Sequence, residues 1–371
     1  MSRNRISRVK VSTLCVVLIV LVSANACGHS QAAPPVPSED EAVQVVRAYG
    51  TGHASSVLPV PVQISEETTE SYQAKIKELV LESNFAELEK IAEQNRTDRG
   101  LLRGGSWKSW AFYGQLGDPP SAGKQTDEDY QNHLTRLNEW VAAYPNSAAA
   151  RIALARFYTN YADFGRGGGY ANTVSDAQWA LYGERTALAE KQLFDAARLK
   201  DRDAPWYQAM QEVAFNQGWA KANAQELLAQ ALAFEPSYYH FYREYADYLK
   251  PQWYGEPGEI ARYAEQASLQ LKDPDASILY FRFASTLACN CEPQIADLPG
   301  LDWAKYKSGY SYVTKLYGVD NVNANRLAWV AYKMGDKVTA QQAFASVDHM
   351  EMGVWWGPHT FASARDWASG P

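Results

Sequence analysis

From Ser71 to the end of the chain, apolar residues recur at helical spacing between prolines, and no stretch alternates long enough to make a convincing strand. Ile76, Leu79 and Val80 form one stripe, and Phe85, Leu88, Ile91 and Ala92 form a second. Ser83-Asn84 lies between them, with Glu87 three residues beyond Asn84 as a capping partner, so the pair reads as a helical hairpin. Leu101 to Lys124 gives one short helix around Trp107, Trp110, Phe112 and Tyr113, broken at Asp118-Pro119-Pro120. Thr126 to Tyr144 is the next helix, and Pro145-Asn146-Ser147 ends it and caps the one that follows, through Ile152, Leu154, Ala155 and Tyr158.

A helix, a proline turn and a helix with alanine at the seam is the pattern of tetratricopeptide hairpins, whose repeat is about 34 residues. Short side chains let two helix axes approach. The pattern recurs at Ala224, Leu228, Ala231 and Pro236 followed by Tyr245, Ala246 and Leu249, and again at Leu327, Ala328, Gly335, Ala340 and Phe344. Further helix starts fall at the Ser175-x-x-Gln178 capping box, at Asp203-Ala204-Pro205, at Pro257 and at Asp273-Pro274. The expected fold is all-α, an α-solenoid of tetratricopeptide-like helical hairpins over residues 71–371.

The first 70 residues differ in kind. Arg3, Arg5, Arg8 and Lys10 precede a nine-residue apolar run from Leu14 to Val22, then the small residues Ala24-Asn25-Ala26 before Cys27. This reads as a secretory signal peptide over 1–26, too short for a membrane span of roughly 20 apolar residues. Its removal takes the formal net charge from −7 to −11, because four cations and no acid leave with it. Cleavage there exposes Cys27 at the position that carries the lipid of bacterial lipoproteins. Ala24-x-Ala26 suits ordinary signal peptidase equally, and Ala24 and Asn25 fit a lipobox only in part. Residues 27–70, with Pro34, Pro35, Pro37, Pro59 and Pro61 among Ser, Gln and Glu, read as a disordered tether. An acidic chain without a basic run argues against nucleic acid. The expected compartment is the periplasm or a lipid-anchored place on the bacterial envelope.

Three motifs invite chemistry. Gly165-Arg166-Gly167-Gly168-Gly169-Tyr170 suggests an anion cradle, but phosphate loops follow a strand and this one follows a helix. The bland reading is a turn with Arg166 paired to an acid such as Asp163. Ser121-Ala122-Gly123-Lys124 has the Ser-x-x-Lys spacing of penicillin-recognising enzymes, yet Pro119-Pro120 precede it and the companion motifs are absent. Cys289-Asn290-Cys291 reads as two free or bridged thiols with no nearby histidine to complete a metal site. No histidine has metal-ligand spacing, so no metal, cofactor or catalytic residue is assigned. Aromatic residues make up 13% of the chain, with 12 Trp. They serve either to fill helix seams or to line a binding face.

Tyr161-Ala162-x-x-Gly165-Arg166-Gly167-x-Gly169-x-Ala171-x-x-Val174, then Gln217-Gly218-Trp219, then Leu249-x-Pro251-x-Trp253-x-Gly255 together resemble an uncharacterised bacterial family of exported, tetratricopeptide-like envelope proteins, a domain of unknown function. The likeness covers roughly residues 80 to 290. It implies a fold and a compartment, and transfers no catalytic residue.

The expectation is thus a non-enzymatic envelope protein, tethered to the membrane through Cys27. It would bind a protein or peptide on a concave face lined by Arg166, Tyr170, Trp219, Trp253 and Tyr254. The alternative is a carbohydrate-active enzyme or cell-wall binder on a helical toroid, which requires two carboxylates in an aromatic-lined cleft.

Overall fold

The computed structural model describes residues 38–50, 64–121, 123–269, 271–285, 300–355 and 357–370. Among them are sixteen α-helices and no strand: α1 (Glu39–Gly50), α2 (Thr69–Leu81), α3 (Phe85–Asp98), α4 (Lys108–Gly117), α5 (Asp127–Ala143), α6 (Ala148–Arg166), α7 (Asp176–Ala197), α8 (Ala204–Gln217), α9 (Lys221–Phe234), α10 (His240–Tyr248), α11 (Glu259–Ser268), α12 (Asp275–Ala284), α13 (Trp303–Tyr317), α14 (Asn321–Met334), α15 (Lys337–Phe344) and α16 (Pro358–Ser369). The signal peptide, Cys27 and the Cys289–Cys291 pair lie outside the described residues.

Local chemistry sets most helix ends. The Asn84 side chain accepts from Glu87 N at the start of α3, and Ser147 caps α6 by accepting from Ala150 N. Ser175 and Gln178 form the expected capping box at α7. Gly218 ends α8 in the left-handed region, at φ 68°. Two starts fall later than expected: α11 opens at Glu259 behind Gly258, and α12 at Asp275 behind Pro274.

Even-numbered helices from α2 to α12 form a continuous row, each packed on the next, while α3, α5, α7, α9 and α11 pack against members of that row. Alanine sets the spacing at its centre: α6 buries Ala148, Ala150, Ala153, Ala155 and Ala162. Later helices return to the segment between α3 and α4. A 3-10 turn at Arg103–Gly105 packs on α13, and Arg282 of α12 donates to the carbonyls of Gly104 and Gly105 at 3.3 and 3.2 Å. Gly104 and Gly105 both have φ near 80°, and a Cβ at either would overlap Asp320 or Arg282, so this joint needs glycine twice.

The expected tether over 27–70 requires correction at 39–50. Glu39, Asp40 and Glu41 occupy the positive end of α1, and Ala42, Val43, Val46 and Tyr49 make a buried stripe against α7 and α9. Tyr49 stacks on Trp206 at 3.8 Å between centroids, and its hydroxyl accepts from Asp203 N at 2.8 Å. The Glu39 carboxylate accepts from Ala220 N at 2.8 Å and Asn223 Nδ2 at 2.6 Å, beside the positive end of α9. Residues 39–50 are therefore part of the folded body.

This docking is measurable. Tyr49→Ala should lower the unfolding free energy by about 3–5 kcal/mol in urea melts, as expected for deleting a buried ring. Tyr49→Phe should lose only about 1 kcal/mol with the hydroxyl. A neutral Tyr49→Ala result would mean that α1 is dispensable to the fold.

Candidate functional site

A groove of about 370 Å³ opens on three successive helices of the row: α6, α8 and α10. Helical spacing places its wall residues on one face of each helix: Thr159 and Asp163 on α6, Gln211 and Phe215 on α8, Glu244 and Asp247 on α10. Lys250 and Trp253, in the turn after α10, complete the lining.

The groove is acidic. Glu212 is paired with Arg156 and accepts from Thr159 Oγ1 at 3.2 Å, and Asp247 pairs with Lys250. Among the described residues, Asp163 and Glu244 form no ion pair within 4.0 Å. Loss of hydration raises the Asp163 carboxyl to about 6 despite the nearby Arg166 and Arg156. Burial also raises Glu244, and the negative charge of Asp247 pushes the same way; Glu244 accepts from Gln208 Nε2 at 2.8 Å. Asp118, at the end of α4, is raised by burial and accepts from Asn160 Nδ2 at 2.9 Å.

The lip is aromatic and carries one cation. Arg166, the last residue of α6, places its guanidinium 5.2 Å from the Trp179 ring and 5.8 Å from the Trp253 ring, bridging α7 to the turn after α10. Its Nη1 donates to Gly167 O at 3.0 Å, so the Arg166–Asp163 pairing of the sequence reading is an electrostatic neighbourhood and not a contact ion pair. The glycine loop is fastened to α7 by Gln178 Nε2, which donates to Arg166 O at 3.1 Å. Trp253 meets Phe215 edge-on at 5.3 Å. Tyr254 stacks on Tyr248 at 4.6 Å and donates its hydroxyl to Phe215 O at 3.0 Å.

Of the five residues expected to line a binding face, the structure sets Trp253 and Tyr254 against Phe215 and Arg166 over the Trp253 ring. Trp219 is a correction: it is 2% exposed within the core, its indole N–H donates to Gln217 Oε1 at 2.8 Å, and its carbonyl accepts from Tyr248 Oη at 2.9 Å. It follows the turn of Gly218, which directs it inward. Tyr170 is 83% exposed, at the tip of the glycine loop, and does not line the groove. The sequence reading missed Glu244, Asp247, Phe215 and Trp179. Their signal was faint: polar or aromatic residues three or four apart on helices whose opposite faces are apolar.

Residues 72–217 match a domain of unknown function (DUF4034). No curated protein and no solved structure matches. The matched stretch begins in α2 and ends at the last residue of α8, short of the residue 290 reached by the sequence resemblance. It therefore contains the α6 and α8 walls of the groove, while α10, Lys250 and Trp253 lie beyond it. Among the described residues, no helix is long and apolar enough to cross a membrane, and no three His, Cys, Asp or Glu side chains cluster as metal ligands.

Burial separates the two tryptophans. Trp219→Ala should cost about 3–5 kcal/mol of stability. Trp253→Ala, at a ring 42% exposed, should cost about 1 kcal/mol or less. Equal losses in denaturant melts would place Trp253 in the core as a seam residue and remove it from the groove lip.

Proposed function

We propose that this chain is a non-enzymatic, exported binding protein, a solenoid of tetratricopeptide-like hairpins held to the bacterial envelope by a lipid on Cys27. The groove of α6, α8 and α10 takes a basic segment of a protein partner. The observation that carries this reading is the groove wall itself: Asp163, Glu244 and Asp247 line a common space of about 370 Å³ beside Phe215 and Trp253. An extended segment with Lys or Arg side chains would gain charge-assisted hydrogen bonds from the carboxylates, and its stems would lie on the aromatic rings. The i, i+3 or i, i+4 spacing repeated on successive helices suits an extended chain, which offers contacts at regular intervals.

A second reading draws on the same carboxylates. Asp163, raised to about 6, is poised as a proton donor near neutral pH, and aromatic side chains border the groove, as a polysaccharide-cleaving or cell-wall-binding site requires. Incubation with cell-wall glycan separates the two: new reducing ends that disappear in Asp163→Asn would establish the enzyme and retire the scaffold.

For the scaffold, mature protein (residues 27–371) used as bait on solubilised envelope should retain a partner that Asp163→Asn or Trp253→Ala bait releases. The bait must contain α1, since the folded body starts at residue 39. Lys-rich peptides should bind more weakly as pH falls from 7 to 5, because protonation of Asp163 through about 6 removes a negative charge from the groove. Affinity that is flat or rises over this range would contradict a role for Asp163. For the anchor, Cys27→Ser should move the protein from the membrane fraction to the soluble fraction of the envelope; unchanged partitioning would refute lipidation at Cys27.

A further inference from the structure

Beyond the acidic groove, α10, α12 and α14 carry a concentration of opposite charge. Arg243 lies on α10, Arg282 on α12 and Arg326 on α14, and His240 opens α10. Arg282 is committed: it bonds to Gly104 and Gly105 and lies 3.8 Å from the Tyr239 ring. The others are not. Arg243 Nε, Arg326 Nε and His240 Nε2 are all shielded from solvent and, among the described residues, have no hydrogen-bond partner. Neither Arg243 nor Arg326 forms an ion pair within 4.0 Å there, although the cations lie in pairs with acids at many other places in the chain.

These residues share one neighbourhood: His240 and Arg243 stand three apart on α10, Arg282 lies over Tyr239, and Asn323, three before Arg326 on α14, donates to the Gly104 carbonyl that Arg282 also reaches. Arg243, Arg282 and Arg326 each act electrostatically on His240, and Arg243 acts on Arg326. Asp320 feels both Arg326 and Arg282, but its carboxylate is engaged as the cap of α14, accepting from Asn323 N at 3.0 Å. Burial and Arg243 lower Arg326 to about 10, which leaves it protonated at neutral pH. His240 is held neutral by burial and the surrounding guanidinium groups, and stacks on Trp110 at 4.6 Å. Buried donors are ordinarily paired, and buried cations ordinarily meet an anion.

We infer that Arg243, Arg326 and His240 form a binding site for an oxyanion, a phosphate or carboxylate group. Arginine is the residue suited to this, since its planar fork matches both groups. The inference stands apart from the basic-segment reading of the acidic groove, and one can fail without the other.

The test is thermal unfolding and isothermal titration calorimetry of the mature chain with inorganic phosphate, acetate or chloride at constant ionic strength. Phosphate or acetate should raise the melting midpoint by about 2 °C per tenfold increase above its dissociation constant, with chloride inert. The better of the two identifies the group. Arg326→Gln and Arg243→Gln should each abolish the response and also raise the midpoint of the anion-free protein, because each removes repulsion between like charges. Arg243→Lys, which keeps the charge without the fork, should retain a weakened response. The inference is overturned by an unmutated protein that responds to neither oxyanion, by variants that respond as the unmutated protein does, or by glutamine variants that melt lower without anion. That last result would mean that the chain itself holds these guanidinium groups.

Discussion

Helix α6 buries Ala150, Ala153, Ala155 and Ala162 to 0% exposure, and these short side chains let α4, α5, α7 and α8 all reach it. A larger residue at any of them would push a neighbouring axis outward, since interiors packed at crystal-like density have little slack. Two surface features depend on that spacing. The outer side of the contact fixes the glycine loop against α7 through Gln178, and the inner side brings Asp163 into the groove that α8 and α10 complete. Packing at the centre thereby decides where charge stands at the wall.

How much of this was legible in the sequence varied with range. Caps were legible because they are local: Asn84 with Glu87, Ser147, Ser175 with Gln178, and Gly218 each act within four residues. Helix α1 was not, because its stripe of Ala42, Val43, Val46 and Tyr49 sits in a proline-rich neighbourhood and its partners Trp206 and Asp203 lie more than 150 residues away. Composition spoke for a tether; a distant ring overruled it. The aromatic candidates were divided for a similar reason. Trp219 and Trp253 are the same residue after similar turns, and only the helices around them set one in the core and the other at a lip.

The groove was the least legible feature, since α6, α8 and α10 contribute to it from segments separated by α7 and α9. Its chemistry depends on one helix carrying two opposite environments. On α10, Arg243 and Glu244 are adjacent in sequence, yet Glu244 joins Asp247 in an acidic space while Arg243 joins Arg326 in a basic one. Successive residues on a helix point about 100° apart, so a single turn is enough to divide the two fields.

The joint between Arg282 and the carbonyls of Gly104 and Gly105 connects residues 178 and 177 positions apart. In an open repeat array each unit meets only its neighbours, and order can spread from any of them. Closing so long a loop costs chain entropy, and stacking of the intervening helices shortens the span to be closed. A nascent chain that has not yet emitted α12 leaves Gly104 and Gly105 without their partner, so the first helices to emerge are completed by some of the last.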